Sequence, residues 1–175
     1  MKRQIRQGVF ETNSSSTHAI CIATDTEYDI PTSIEFSFGD FGWEVDKLTS
    51  RKERANYLYT CMAYAENNEK MKEYLDFIIK TLHKHGVKDI GFESFEYHVY
   101  EYDGKLFDYI APSGDGYVDH GDVAQGFVEK VCSDEKLLLD YLFSDKSFIL
   151  TGNDNDDTDV DIKVDYPHEE FYKGN

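Results

Sequence analysis

At 175 residues and 20.3 kDa, with 40% hydrophobic and 15% aromatic residues, the chain can bury a core of its own, which excludes a disordered polymer. No apolar run approaches the roughly 20 residues of a membrane-spanning helix, and no apolar stretch of a secretory leader follows Lys2 and Arg3. A net charge of -17 and a pI near 4.6 set the body against long-range attraction to nucleic acid and towards basic partners, alongside the plain solubility such charge confers.

The first ten residues carry Lys2, Arg3 and Arg6 and no acid, so the chain opens on a basic island. Residues 4–10 and 19–23 are short apolar segments around a polar tract, Glu11 to His18, and the arrangement predicts an N-terminal β-hairpin. Thr12, Asn13, Ser14, Ser15 and Ser16 are turn formers, because their short side chains bond to nearby backbone. Glu11 and His18 bracket that turn, and strand pairing would bring a carboxylate beside an imidazole.

After a turn-rich connection containing Pro31, residues 33–38 alternate with Ile34, Phe36 and Phe38 on one face, the pattern of a half-buried strand. Residues 39–43 form a glycine-punctuated loop whose Trp43 reads as a plug over the core. Ser50 and Glu53 have capping-box spacing, so a helix is predicted to about residue 66, with Tyr57, Leu58, Cys61, Met62 and Ala65 on one stripe. Asn67 and Asn68 break it and cap a second helix over 69–85, where Met71, Leu75, Ile78, Ile79 and Leu82 keep a 3.6-residue period. Gly86 ends that helix. His83 and His85 stand in its last turn, where the dipole favours a cation; an H-x-H metal pair lacks a third ligand nearby.

Asp103-Gly104 signals a two-residue turn joining residues 93–102 to 105–110 in a second hairpin. Residues 112–117 read as a loop, followed by Asp119-His120. Ser133 is the predicted cap of a helix over 134–143, and residues 147–150 form an apolar strand. Thr151 to Asp157 resembles a calcium loop only in its alternating acids, lacking the glycine and the final glutamate of that motif, and reads as a turn. Val160 to Val164 alternate as an edge strand protected by charge. The predicted fold is therefore α+β: a mixed or antiparallel sheet including the N-terminal hairpin, packed by about three helices, in one domain over 1–175. Cys21, Cys61 and Cys132, odd in number and without C-x-x-C spacing, suit reduced thiols in a cytoplasm.

No nucleophile-elbow, phosphate-loop, zinc-protease or dinucleotide motif is present, and no metal or cofactor is expected. Metal-independent cleavage of RNA needs a base, an acid and a cation on the phosphoryl oxygens, and Glu11, His18 and Arg6 can fill those roles. Arg3, Thr12, Asn13, Ser14, Ser15, Ser16 and Thr17 would hold the RNA. Asp119 and His120 form a second acid–base candidate. The same residues also fit a polar turn with a weak surface ion pair between Glu11 and His18.

The run Arg6-Gln-Gly-Val-Phe-Glu-Thr-Asn-Ser-Ser-Ser-Thr-His18 resembles an N-terminal signature of small proteins from phages and mobile elements of Gram-positive bacteria. Tyr117 to His120 and Thr151 to Asn155 resemble further segments of that set. The set is similar to anti-CRISPR proteins directed at type II-A Cas9, including a kind that truncates the guide RNA and depends on an N-terminal hairpin. The resemblance covers little beyond the opening stretch. It implies Cas9 and its guide RNA as partners, no membrane, and a ribonuclease role for Arg6, Glu11, Thr12, Asn13, Ser14, Ser15, Ser16 and His18. Two alternatives stand beside it: an acidic nucleic-acid mimic that blocks Cas9 without chemistry, and an accessory protein unrelated to CRISPR.

Overall fold

The computed structural model describes residues 16–42, 44, 46–65, 68–112, 116–119, 123–153 and 167–173. Within them the α+β expectation holds, with ten strands and four helices. The first strand of the expected hairpin, residues 4–10, lies outside the described residues. Its second becomes β1 (Ser16–Ala23), which starts three residues earlier than its apolar run because Ser16 and His18 continue the inward face of Ile20 and Ile22.

β1 is the spine of a four-stranded sheet ordered β10-β1-β9-β4, with β4 at Asp46–Leu48, β9 at Phe148–Asn153 and β10 at Pro167–Lys173. All its pairings are antiparallel: Ile20 stands opposite Phe171 on one side and Ile149 on the other. Both backbone edges of Ala19, Ile20 and Cys21 are thereby occupied. β9 runs on through Asn153, so Thr151 to Asn153 belong to the sheet rather than to the predicted turn. β10 was not foreseen; the tail's expected edge strand, residues 160–164, lies outside the described residues.

Helix α1 (Arg51–Ala65) begins with the expected capping box: the Ser50 hydroxyl accepts from Glu53 N–H at 3.2 Å, and the Glu53 carboxylate accepts from Ser50 N–H at 2.8 Å. It differs from the single-stripe expectation, since Arg54, Ala55, Tyr59, Thr60 and Ala63 are buried along with Tyr57, Leu58, Cys61 and Met62, while Ala65 of the expected stripe is exposed. It is the central helix, packed against β2 (Ser33–Phe36), α3 (Phe127–Val131), α4 (Glu135–Phe143), β7 (Lys105–Pro112) and β8 (Tyr117–Val118). Arg54 is tolerated in that core because its guanidinium donates to the carbonyls of Thr49 (3.0 Å), Leu142 (2.9 Å) and Ser147.

Helix α2 (Asn68–Lys84) buries Met71, Tyr74, Ile78 and Leu82 on one face, and Gly86 follows it at φ +95. β2 pairs in parallel with β5 (Asp89–Phe92), which makes the fold mixed. A short parallel pair joins β3 (Asp40–Phe41) to β8. The Ser133 cap expected for α4 is replaced by Asp134, whose carboxylate accepts from Leu137 N–H at 3.0 Å. β6 (Phe95–Tyr102) and β7 form the predicted hairpin, with positive φ at Asp103 (51) and Gly104 (71) as a type I′ turn requires.

Candidate functional site

Residues Ser16, His18, Ile20 and Ile22 share one face of β1, and that face changes character along the strand. Ile20 and Ile22 enter the apolar core, whereas His18 lies in a polar row across the sheet, opposite Lys173 on β10 and Thr151 on β9. Ser16, His18, Thr151 and Lys173 are all buried. The opening run therefore leads straight into a sealed polar end of the main sheet.

The His18 ring bridges two partners. Its Nδ1 lies 2.8 Å from the Tyr57 hydroxyl and its Nε2 3.4 Å from the Gly42 carbonyl. A carbonyl only accepts, so Nε2 carries the proton and Nδ1 accepts from Tyr57. Burial lowers the His18 pKa to about 4, helped by the Lys173 charge and opposed by Gly42 and Asp119. The ring is neutral at pH 7. Tyr57 is fully buried, its phenol pushed well up by burial, and it also shares a hydrogen bond with Cys61, whose thiol burial raises strongly.

Lys173 supplies the cation of this cluster. Its ammonium donates to Ser16 Oγ at 2.8 Å and to the Asp119 carbonyl at 2.5 Å. The two candidate regions of the sequence, the start of β1 and Asp119, are thus drawn together by a lysine from the far end of the chain. Lys173 carries no sequence motif, and its only signal is the alternation that sets Phe171 and Lys173 on one face of an extended segment, while Tyr57 reads only as one position of the α1 stripe.

Ser16 and His18 stand inside a buried strand instead of an exposed turn, and Thr17, half-buried on the other face, pairs with Gly152. Arg3, Arg6, Glu11, Thr12, Asn13, Ser14, Ser15 and His120 lie outside the described residues, as does Trp43. As placed, His18 is uncharged near neutrality and its Nδ1 lone pair is taken up by the Tyr57 hydroxyl. The cluster works as a hydrogen-bonded anchor for the start of β1.

The other histidine pair resolves structurally. His83 Nδ1 bonds the Val87 carbonyl at 2.9 Å past the helix end, and His85 and Lys84 meet Glu135 at 2.8 and 2.7 Å. Among the described residues no group of three or more His, Cys, Asp or Glu is placed to hold a metal ion, and no helix is long and apolar enough to cross a membrane. Comparison with protein-family models, curated proteins and solved structures finds no match.

Proposed function

We propose that this chain is a cytoplasmic inhibitor that acts by binding a basic, nucleic-acid-handling protein. The resemblance of its opening run makes type II-A Cas9 with its guide RNA the target to test. The observation that carries this reading is the spread of exposed carboxylates over the described surface, among them Glu35 and Asp89 on the β2–β5 pair, Glu69 and Asp76 on α2, and Glu101 and Asp108 on the β6–β7 hairpin. With a net charge of -17 behind them, these groups mimic a polyanion and steer association with a basic groove in a salt-dependent way.

A second reading, truncation of the guide RNA, is favoured by one feature. The opening run is held at its exit by the buried Ser16–Lys173 and His18–Tyr57 bonds, a rigid mount for a short catalytic segment. In that reading His18 positions the segment, and the chemistry falls to Arg6, Glu11 and His120.

The two separate in one experiment. Cas9 loaded with guide RNA is incubated with the protein, with and without EDTA; DNA cleavage is assayed and the RNA is run on a denaturing gel. Inhibited DNA cleavage with intact guide RNA is the expected result. Shortened RNA that disappears with Glu11→Gln would establish truncation instead. Full DNA cleavage at saturating protein would remove Cas9 as the target and leave the accessory-protein alternative.

A further inference from the structure

The β6–β7 hairpin exposes more aromatic surface than its own folding uses. Residues directly opposite in an antiparallel pair share a face, and the register sets His98 opposite Tyr109, Tyr100 opposite Phe107 and Tyr102 opposite Lys105. On that face the rings form a ladder: His98 stacks on Tyr109 at 5.1 Å, Tyr100 stacks on Phe107 at 5.4 Å, and Tyr100 meets Tyr109 edge-on at 6.0 Å. Tyr100, Tyr102, Phe107 and Tyr109 remain 51%, 70%, 40% and 47% exposed. On the opposite face the base is anchored, with Ile110 buried and Phe95 packed on the core, while Tyr97, Val99 and Leu106 further out are exposed. The hairpin is a strut whose base is fixed and whose ladder faces solvent.

Contiguous exposed aromatics mark an interaction surface, and the flanking charges select its occupant. Glu96 on the ladder face and Asp103 at the turn are exposed, with Glu101 and Asp108 exposed on the other face, against a single lysine, Lys105. Base stacking would suit the rings, but a phosphate backbone meets carboxylates of its own sign. A second copy of the chain meets acid with acid. Guanidinium groups satisfy both features at once, stacking on aromatic faces and pairing with carboxylates.

We propose that the β6–β7 hairpin is a docking arm for an arginine-rich segment of a partner protein, with guanidinium groups stacked on Tyr100, Phe107 and Tyr109 and paired with Glu96 and Asp103. The proposal rests on the binding function above and names the surface that performs it.

The test uses the full chain and a fluorescein-labelled oligoarginine peptide, followed by anisotropy at physiological salt. Tyr100→Thr with Tyr109→Thr leaves the charge unchanged and should weaken binding about tenfold. Glu27→Gln with Glu129→Gln, exposed carboxylates before β2 and on α3, removes two carboxylates and should weaken it less than about twofold. Equal binding by the tyrosine variant, or an equal loss in the Glu27/Glu129 variant, would overturn the arm. In the native protein, peptide binding should slow amide exchange within residues 95–112; protection confined to other segments would also overturn it. So would a labelled single-stranded RNA that binds through the same tyrosines, or a native dimer that the tyrosine variant dissociates. Peptide capture by the hairpin with no effect on Cas9 removes only the Cas9 target. Cas9 binding that survives the tyrosine variant removes only the arm.

Discussion

The Nδ1 of His18 and the hydroxyl of Tyr57 lie 2.8 Å apart with both side chains fully buried, joining β1 to α1 across 39 residues of sequence. Replacing His18 by Asn should therefore cost stability rather than only surface chemistry. About 2–3 kcal/mol is expected at pH 7 from the disturbed bond and packing, read from urea unfolding.

The same pair makes stability depend on pH. The folded pKa of His18, about 4, is below the ordinary 6.5. Between those values the unfolded chain binds a proton that the folded chain refuses, so the contribution is complete above pH 6.5 and declines as pH falls towards 4. The full decline corresponds to about 3 kcal/mol. The stability gap between native protein and His18→Asn should accordingly narrow from pH 7 to pH 4.5. A gap that stays constant would mean that His18 titrates normally.

Arg54 holds three carbonyls, from Thr49, Leu142 and Ser147, inside the core. Lysine carries the charge without the planar fork, and methionine fills the space without donors. Both Arg54→Lys and Arg54→Met should destabilise by about 3 kcal/mol. Thermal melts of the two variants beside the native chain measure it, and a Lys variant melting at the native temperature would refute the bridging role.

The three cysteines are buried, and burial pushes Cys21 up to about 11 and Cys61 higher still. Thiolate is the reactive form. Iodoacetamide at pH 8 should leave Cys21 and Cys61 unmodified in the native protein and alkylate both in urea, as peptide mass spectrometry would show.

At the start of α1, the Ser50 hydroxyl and Glu53 carboxylate cap each other's backbone. Ser50→Ala should cost about 1 kcal/mol, visible as a lower melting temperature.

Features set by a few neighbouring residues were readable in advance. The Ser50–Glu53 capping box, the Asp103-Gly104 turn, the alternation of Ile34, Phe36 and Phe38, and the helical period of Met71, Ile78 and Leu82 all appear as the residues predict. Asp134 displaced Ser133 as the cap of α4 because adjacent polar residues offer equivalent oxygens and the backbone conformation chooses between them. At the candidate site Ser16, His18 and Asp119 do converge, with His18 buried in a strand instead of standing at an open turn. In the sequence Tyr57 reads as one more apolar position on α1, and Lys173 belongs to no motif.

The sequence by itself determined the class of the fold, the acidity of the surface and the place of the second hairpin, since composition, period and turn chemistry are local quantities. Only the tertiary structure decided what the start of β1 is for. A period of two states which residues share a face; it does not state which strand will lie alongside. β9 and β10 take both edges of β1, the Ser16–Lys173 contact closes across 157 residues, and burial leaves His18 neutral. Those are consequences of long-range pairing, which no short stretch of sequence encodes.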